Sequence, residues 1–185
     1  MGIPLILLLI VSIIAIVLYN SLIRRKNAVA NAFGAIDAML KKRYDLIPNL
    51  VETVKQYMNY ERDTLTKITE LRTKAINPNI PPDEKIQLEN QIGSAMRNIM
   101  VQVENYPDLK ANQNFLQLQG SWNEIEEQIS AARRAYNAAV TDYNNAVEQF
   151  PTNIFANMMN FQPKTVLEIP EEERKNISAK DLFKS

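Results

Sequence analysis

The chain has 185 residues with 21 basic and 21 acidic side chains, and it contains neither cysteine nor histidine. This composition excludes disulfides, thiol nucleophiles, histidine general bases and the Cys or His ligands of most zinc and iron sites. Balanced charge gives no excess field for nucleic acid, and four glycines leave little material for a phosphate-binding loop. We therefore predict no enzyme activity, no cofactor or metal site and no nucleic-acid partner.

The first 23 residues carry no charged side chain. Residues 3–23, IPLILLLIVSIIAIVLYNSLI, form a helix of about 31 Å, which matches a bilayer core. A cleaved signal peptide is the alternative, but it needs positive charge before the apolar run and a small-residue cleavage site after it. We predict an uncleaved transmembrane anchor over residues 1–23, with the lipid bilayer as its partner. The anchor and its boundary comprise Ile3, Leu8, Ile13, Leu18, Tyr19, Arg24, Arg25 and Lys26.

The orientation of the anchor follows from its flanking charges. Six basic residues lie between positions 24 and 43, and none precedes the apolar run. Because positive flanks stay on the cytoplasmic side, we expect a single-pass protein of the cell membrane with its N-terminus outside and its C-terminal domain cytoplasmic. An exported domain is the alternative.

The next stretch predicts one helix from residue 24 to residue 76. Its apolar residues recur at spacings of three and four, and the first break signal is INPNIPPDE at 76–84. Pro48 lies inside this stretch, where a proline costs about 3 kcal/mol. We predict a kink at Pro48, with Asp45 placed to accept hydrogen bonds from amides freed there. The kink is either a functional hinge or a bend that packs the helix against its neighbours.

Two further long helices are predicted, from near Asp83 to about residue 105 and over residues 108–150. The second carries large side chains seven residues apart, with smaller ones between them, which is an a/d heptad seam over five repeats. The segment TNIFANMMNF after Pro151 indicates a short amphipathic helix. The predicted packing or oligomer seam comprises Phe115, Leu118, Trp122, Ile125, Ile129, Ala132, Tyr136, Ala139, Tyr143 and Phe150.

Two other patterns have ordinary structural interpretations. Glu124 and Glu127 share a helix face, but carboxylate-bridged metal sites also need histidine, so solvated surface is the favoured interpretation. The Tyr-Asn pairs at 136–137 and 143–144 favour repeated core packing over a ligand site.

The predicted fold class is all-α: one N-terminal transmembrane helix and a long-helix antiparallel bundle. The bundle has three long helices and a short C-terminal one, and resembles a four-helix bundle. Residues 24–161 form the predicted bundle domain and residues 162–185 a flexible polar tail.

Three blocks of the chain resemble the LemA family of bacterial membrane proteins. They are YNSLIRRKNAVANAFGAIDAMLKKRYDLIPNLVETVKQYMNYE, YPDLKANQNFLQLQ and AARRAYNAAVTDYNNAVEQFP. Phe33-Gly34 departs from the tryptophan and serine that the family often has. The resemblance implies a single membrane helix, an antiparallel helical bundle and a place in the bacterial cell envelope. It implies no catalytic residues.

Two functional hypotheses follow. If three helices run up, down and up, the last overshoots the first, and its seam around Tyr136 and Tyr143 packs on another copy. The protein is then a self-associating scaffold, and Ala139→Glu dissociates it. Packing of the same seam within one chain is the alternative. In the second hypothesis the protein is an accessory or adaptor subunit of another membrane protein, for instance a quality-control protease.

Overall fold

The computed structural model describes residues 2–58, 62–77 and 80–167, and within them the chain is all-α, as predicted. These residues form six helices and no strand. The helices are α1 (Gly2–Lys55), α2 (Arg62–Ala75), α3 (Pro82–Val103), α4 (Pro107–Lys110), α5 (Gln113–Glu148) and α6 (Thr152–Met158).

Helix α1 runs without a break from the apolar N-terminal residues into the bundle. It has 54 residues and is therefore about 81 Å long. Within the described residues, it is the one helix long and apolar enough to cross a membrane. Its large apolar side chains from Ile3 to Val17 are exposed, as lipid-facing side chains are.

The predicted single helix over residues 24–76 is wrong, because α1 ends at Lys55 and a separate helix α2 begins at Arg62. The backbone N–H groups of Tyr57 and Met58 both donate to the carbonyl of Val54, at 3.0 and 2.9 Å, and close the last turn. No glycine or proline marks this end in the sequence. The chain reverses because α2 can then bury an apolar stripe against the bundle, at about 1.5–3 kcal/mol for each large side chain. The stripe comprises Leu65, Ile68, Leu71 and Ala75.

Helices α2 and α3 pack beside the second half of α1. Arg72, near the end of α2, reaches back to the carbonyl of Tyr44, so α2 runs antiparallel to α1. On α3, Lys85 contacts Asp37 and Glu89 contacts Tyr44, so α3 runs parallel to α1.

Helix α5 returns along the whole length of α1 that follows the apolar run. Asn112 caps its first turn: the side chain accepts from the N–H of Phe115 at 3.0 Å and donates to the Tyr57 hydroxyl at 2.9 Å. The helix ends beside the base of the bundle, where Arg25 pairs with Asp142. The four long helices therefore run up, down, up and down, in the order α1, α2, α3, α5.

The bundle has two regions with separate cores. The distal region contains α2, α3, α4, residues 36–58 of α1 and residues 113–132 of α5, and it is a four-helix core. The proximal region, next to the apolar span, contains residues 22–35 of α1, residues 133–148 of α5, α6 and the segment 161–167. Its buried residues are Leu22, Val29, Val140, Tyr143, Ala146, Val147 and Ala156.

Candidate functional site: a buried ionic cluster and a clamped segment

Two charged side chains lie in the core of the distal region. Arg43 on α1 is 2% exposed and Glu89 on α3 is 3% exposed, and the two form an ion pair. Arg43 also donates from Nη1 to Oε1 of Glu126 on α5, at 2.7 Å. One guanidinium therefore connects three helices of the bundle.

Aromatic side chains complete this cluster. The Tyr44 hydroxyl donates to Oε1 of Glu89. The Arg43 guanidinium lies 5.6 Å from the centroid of the Trp122 ring on α5, which is within the range of a cation–π contact. Buried charges are tolerated only with partners of this kind, and here the partners connect α1, α3 and α5.

The environment of Glu89 disfavours its charged form. Burial raises the pKa of the Glu89 carboxyl to about 8, Arg133 opposes that increase, and the nearby carboxylates Glu126 and Asp37 add to it. Burial also lowers the pKa of Arg43, against the opposing effect of Glu126. Burial therefore shifts the Glu89 carboxyl toward its neutral form relative to an exposed carboxyl.

A small cavity of about 60 Å³ lies beside the cluster and is lined by Phe33, Ile36, Glu89, Arg133 and Leu167, among others. Sites for small molecules are typically about 300–1,000 Å³, so this cavity is too small for a metabolite. The arrangement links three helices inside the bundle, and the cavity beside it is too small for an active site.

The second polar arrangement holds the segment that follows α6. The side-chain amide of Asn137 donates to the carbonyl of Leu167 at 2.9 Å and accepts from its N–H at 2.8 Å. Asn144, two turns later, makes the same pair of bonds to Lys164, both at 2.8 Å. We call Asn137 and Asn144 the asparagine clamp.

Tyr143 and the end of α6 add to this attachment. The Tyr143 hydroxyl donates to the carbonyl of Gln162 at 3.0 Å. The chain leaves α6 through a Schellman motif, in which Phe161 N–H donates to the Ala156 carbonyl at 2.9 Å and Asn160 adopts a left-handed φ of 56°. Residues 162–167 thus differ from the flexible tail that we predicted over 162–185, because main-chain groups of the segment find side-chain partners on α5. Residues 168–185 lie outside the described residues.

The predicted seam faces α1 and the other helices of the same chain. Phe115, Trp122, Ile129 and Tyr143 are buried, and Phe150 is 80% exposed at the end of α5. The half-buried members of the seam are Leu118, Ile125, Ala132, Tyr136 and Ala139. The predicted overshoot of the last helix is wrong, because α2 supplies an additional descending helix and α5 returns toward the apolar span. Tyr143 is buried in the proximal core of the same chain, as the alternative of packing within one chain predicts.

Pro48 lies within the continuous helix α1, and both Pro48 and Asp45 are exposed. A proline lacks an N–H, so the group freed is the carbonyl four residues earlier, that of Tyr44. Arg72 donates from Nε to this carbonyl at 2.8 Å. The group that Pro48 leaves without a helical hydrogen bond is thus the Tyr44 carbonyl, and its donor is Arg72 on α2. We had expected freed amides that bond to Asp45.

The predicted anchor residues lie on the first half of α1, and most of them are exposed. Ile3, Leu8 and Ile13 are exposed, and Tyr19 is 38% exposed. Leu18 is half-buried, Arg24 and Lys26 are exposed, and Arg25 contacts Asp142.

Glu124 is exposed and accepts a hydrogen bond from Gln128 at 3.0 Å. Within the described part of the chain, no cluster of acidic residues that could hold a metal ion occurs.

Sequence reasoning missed the ionic cluster, although the sequence carries a signal for it. The buried positions 36, 40, 47, 50 and 54 of α1 follow heptad spacing, and Arg43 occupies the position between 40 and 47. Glu89 likewise continues the buried positions 92, 96, 99 and 103 of α3. A charged residue at a core position of a heptad indicates a buried partner.

The fold and the site define a class of protein: a helical bundle continuous with an apolar helix of membrane-spanning length, with an ionic cluster sealed inside. The LemA family model matches residues 32–180. Protein LemA of Metamycoplasma hominis is 31% identical over 163 residues, which is 88% of this chain and 74% of that protein. The chain belongs to the LemA family.

Magnetosome proteins are more distant relatives. Two magnetosome proteins MamQ of Paramagnetospirillum magneticum are each 21% identical over 169 residues, covering 78% of this chain and 62% of the relative. Magnetosome protein MamQ of Magnetospirillum gryphiswaldense is 20% identical over 192 residues, covering 86% and 71%. The apolar span of α1 and these relatives support a membrane location.

Proposed function

We propose that this protein is a non-enzymatic, membrane-anchored scaffold that self-associates on the membrane. The observation that carries the proposal is the unbroken helix α1, which joins the apolar span to the bundle without a flexible linker. A helix transmits orientation along its length, so the bundle stands at a fixed angle and height on the bilayer. A bundle with a fixed angle and height can hold other chains at a defined position on the membrane, as a scaffold does.

Anchoring also favours association of copies. Neighbouring anchored copies meet at the same height above the bilayer, which raises the effective concentration of matching surfaces. The proximal region has two long helices where the distal region has four, so one flank of the α1–α5 pair is less covered. Phe33 on this flank is 42% exposed even though its ring meets the Tyr136 ring edge-on at a centroid distance of 5.9 Å.

A mass measurement tests self-association. We expect the full chain, in detergent or in lipid nanodiscs, to have a multiple of the monomer mass. Phe33→Lys should reduce that mass, whereas Asn31→Lys, an exposed position two residues earlier, should leave it unchanged. A monomer at high protein concentration for the unchanged chain contradicts the proposal.

The proposed orientation places the bundle in the cytoplasm. Because the chain has no cysteine, a single Val101→Cys variant reports on one site, and Val101 is 70% exposed. We expect this thiol to resist a membrane-impermeant reagent in intact cells and to react after lysis. Ready labelling of intact cells supports an exported domain.

The adaptor role is the second candidate, and one surface favours it. A groove of about 680 Å³ lies between the end of α1 and α2, with Val51, Leu65 and Thr69 among its lining residues. It is at the distal end, where a partner extending from the same membrane would reach it. Crosslinking in cells distinguishes the two roles: a ladder of self-adducts supports the scaffold, and one heavier heterologous band supports the adaptor.

A further inference from the structure

We propose that α6 and the preceding residue Phe150 form a second membrane contact, which inserts apolar side chains into the same leaflet from which α1 emerges. This inference rests on the membrane location of α1 and is independent of self-association. Its ligand is the lipid surface at the boundary between headgroups and acyl chains.

The contact has three large exposed apolar side chains. Ile154 and Met158 lie one turn apart on one face of α6 and are 49% and 76% exposed, and Phe150, just before α6, is 80% exposed. Ala156, on the opposite side of α6, is fully buried against the bundle. Helix α6 is therefore apolar on two sides, and only one of them is covered by the protein.

The height of α6 along α1 is set by its contacts. Ala156 shares the proximal core with Leu22, which is also fully buried. Leu22 lies at the end of the apolar run 3–23, and Lys26, whose ammonium lies 5.7 Å from the Phe161 ring centroid, is one turn later. At 1.5 Å per residue, α6 is therefore within about 6 Å of the end of the apolar run.

This position matches the depth at which interfacial helices bind. Such helices lie in the plane of the bilayer with their apolar face about 5–10 Å into the boundary between headgroups and acyl chains. The exposed cations Arg24 and Lys26 are at the same height, where they can contact lipid phosphates. Apolar exposure and basic charge therefore coincide at the level where a lipid headgroup offers both kinds of contact.

Exposed apolar side chains elsewhere in the bundle differ in arrangement. Ile76, Val101 and Leu116 are 48%, 70% and 50% exposed, and each lies on a different helix or at its end. Single exposed apolar residues are normal on protein surfaces, whereas a group beside a membrane span indicates a membrane contact. The proximal group continues the lipid-facing surface of α1.

The test uses single cysteines in the full chain reconstituted in lipid vesicles. Met158→Cys carries an environment-sensitive fluorophore, and Val101→Cys, nearly as exposed but in the distal region, is the matched control. Lipids with a spin label near the headgroup quench fluorophores at that depth. We expect severalfold stronger quenching at position 158 than at position 101.

A second variant tests whether the apolar side chains, and not the fluorophore itself, cause the insertion into lipid. With the fluorophore at Phe150→Cys, the double change Ile154→Ser and Met158→Ser should weaken quenching, because the apolar face that holds this end in the lipid is lost. Equal quenching at positions 158 and 101 overturns the proposal. Energy transfer between copies labelled at position 158, without lipid quenching, also overturns it, since a second copy then covers the face.

Discussion

The distal and proximal regions differ in the number of helices that surround their cores and in the polar side chains that bond inside them. In the distal region four helices surround the core, and the charged pair Arg43–Glu89 is almost fully removed from water. In the proximal region two long helices leave a flank open, and an extended segment of the chain covers part of it. An extended backbone needs hydrogen-bond partners, which the asparagine clamp supplies. The polar side chains differ accordingly: the distal charges are buried in the core, and the proximal asparagines are half-buried and bind backbone.

The largest expected effect is loss of the distal charge pair. Above pH 8, where Glu89 is ionised, Arg43→Ala leaves a buried carboxylate without its cation, so we expect the full chain in detergent to lose about 3–5 kcal/mol of unfolding free energy there. Urea unfolding followed by circular dichroism measures this. The double variant Arg43→Met, Glu89→Met replaces both charges with apolar side chains and should recover most of the loss. A single variant as stable as the unchanged chain contradicts a structural role for the pair.

The pH dependence of stability is the next expected effect. The pKa of Glu89 is about 8 in the folded chain and near the usual carboxyl value when unfolded. Since the folded state binds the proton more tightly, stability from this group is fully present below about pH 4.5 and is lost as the pH rises through 8. Glu89→Gln should flatten the stability profile between these limits. Unfolding curves measured at a series of pH values test this, and an unchanged slope in the variant contradicts the assignment.

Periodicity was enough to predict α3, α5 and α6, because their apolar spacing is regular and proline lies at or near their ends. The two long helices begin and end within about five residues of the predicted limits. The reversal after Lys55 was not predictable in this way, because tertiary burial of α2 causes it without a local turn signal. Because the reversal was not predicted, the inferred direction of α5 was wrong, and so was the expected location of the seam.

The carbonyl freed by Pro48 gives a smaller, coupled effect in the distal region. Arg72→Ala removes the donor to the Tyr44 carbonyl, so we expect a loss of about 1–2 kcal/mol. Pro48→Ala restores a backbone N–H that can bond this carbonyl within α1. In the Pro48→Ala background, Arg72→Ala should therefore cost less, and a double-mutant cycle from unfolding free energies measures the difference. Equal costs in both backgrounds contradict the proposed partnership.

The asparagine clamp of the proximal region should give the smallest change in global stability. Asn137→Ala and Asn144→Ala are expected to cost about 1 kcal/mol each, because each removes two bonds to a partly exposed segment. Trypsin cleavage after Lys164 is the sensitive readout and should accelerate in both variants. Asn137→Asp keeps the acceptor and loses the donor, so it should be intermediate. Asn145→Ala, exposed and outside the clamp, should cleave at the original rate.

The clamp also shows what sequence reasoning could not provide. The Tyr-Asn pairs at 136–137 and 143–144 repeat at heptad spacing, which identifies a helix face. The partner of the asparagines is backbone, and backbone carries no side-chain pattern in the sequence. The spacing therefore places Asn137 and Asn144 on one helix face but does not identify the backbone groups that they bind.

Helix α5 descends beside α1 toward the apolar span, and a pair of distances between the two helices shows this descent. In the cysteine-free chain, spin labels are placed on Arg25→Cys with Asp142→Cys, and on Arg25→Cys with Asn114→Cys. Arg25 and Asp142 are in contact, whereas Asn114 lies 28 residues earlier on α5, about 42 Å along the helix. Pulsed electron paramagnetic resonance of the full chain in lipid should give a short distance for the first pair and a distance longer by roughly that length for the second. A short distance between positions 25 and 114, with a long one to position 142, would contradict the descent of α5.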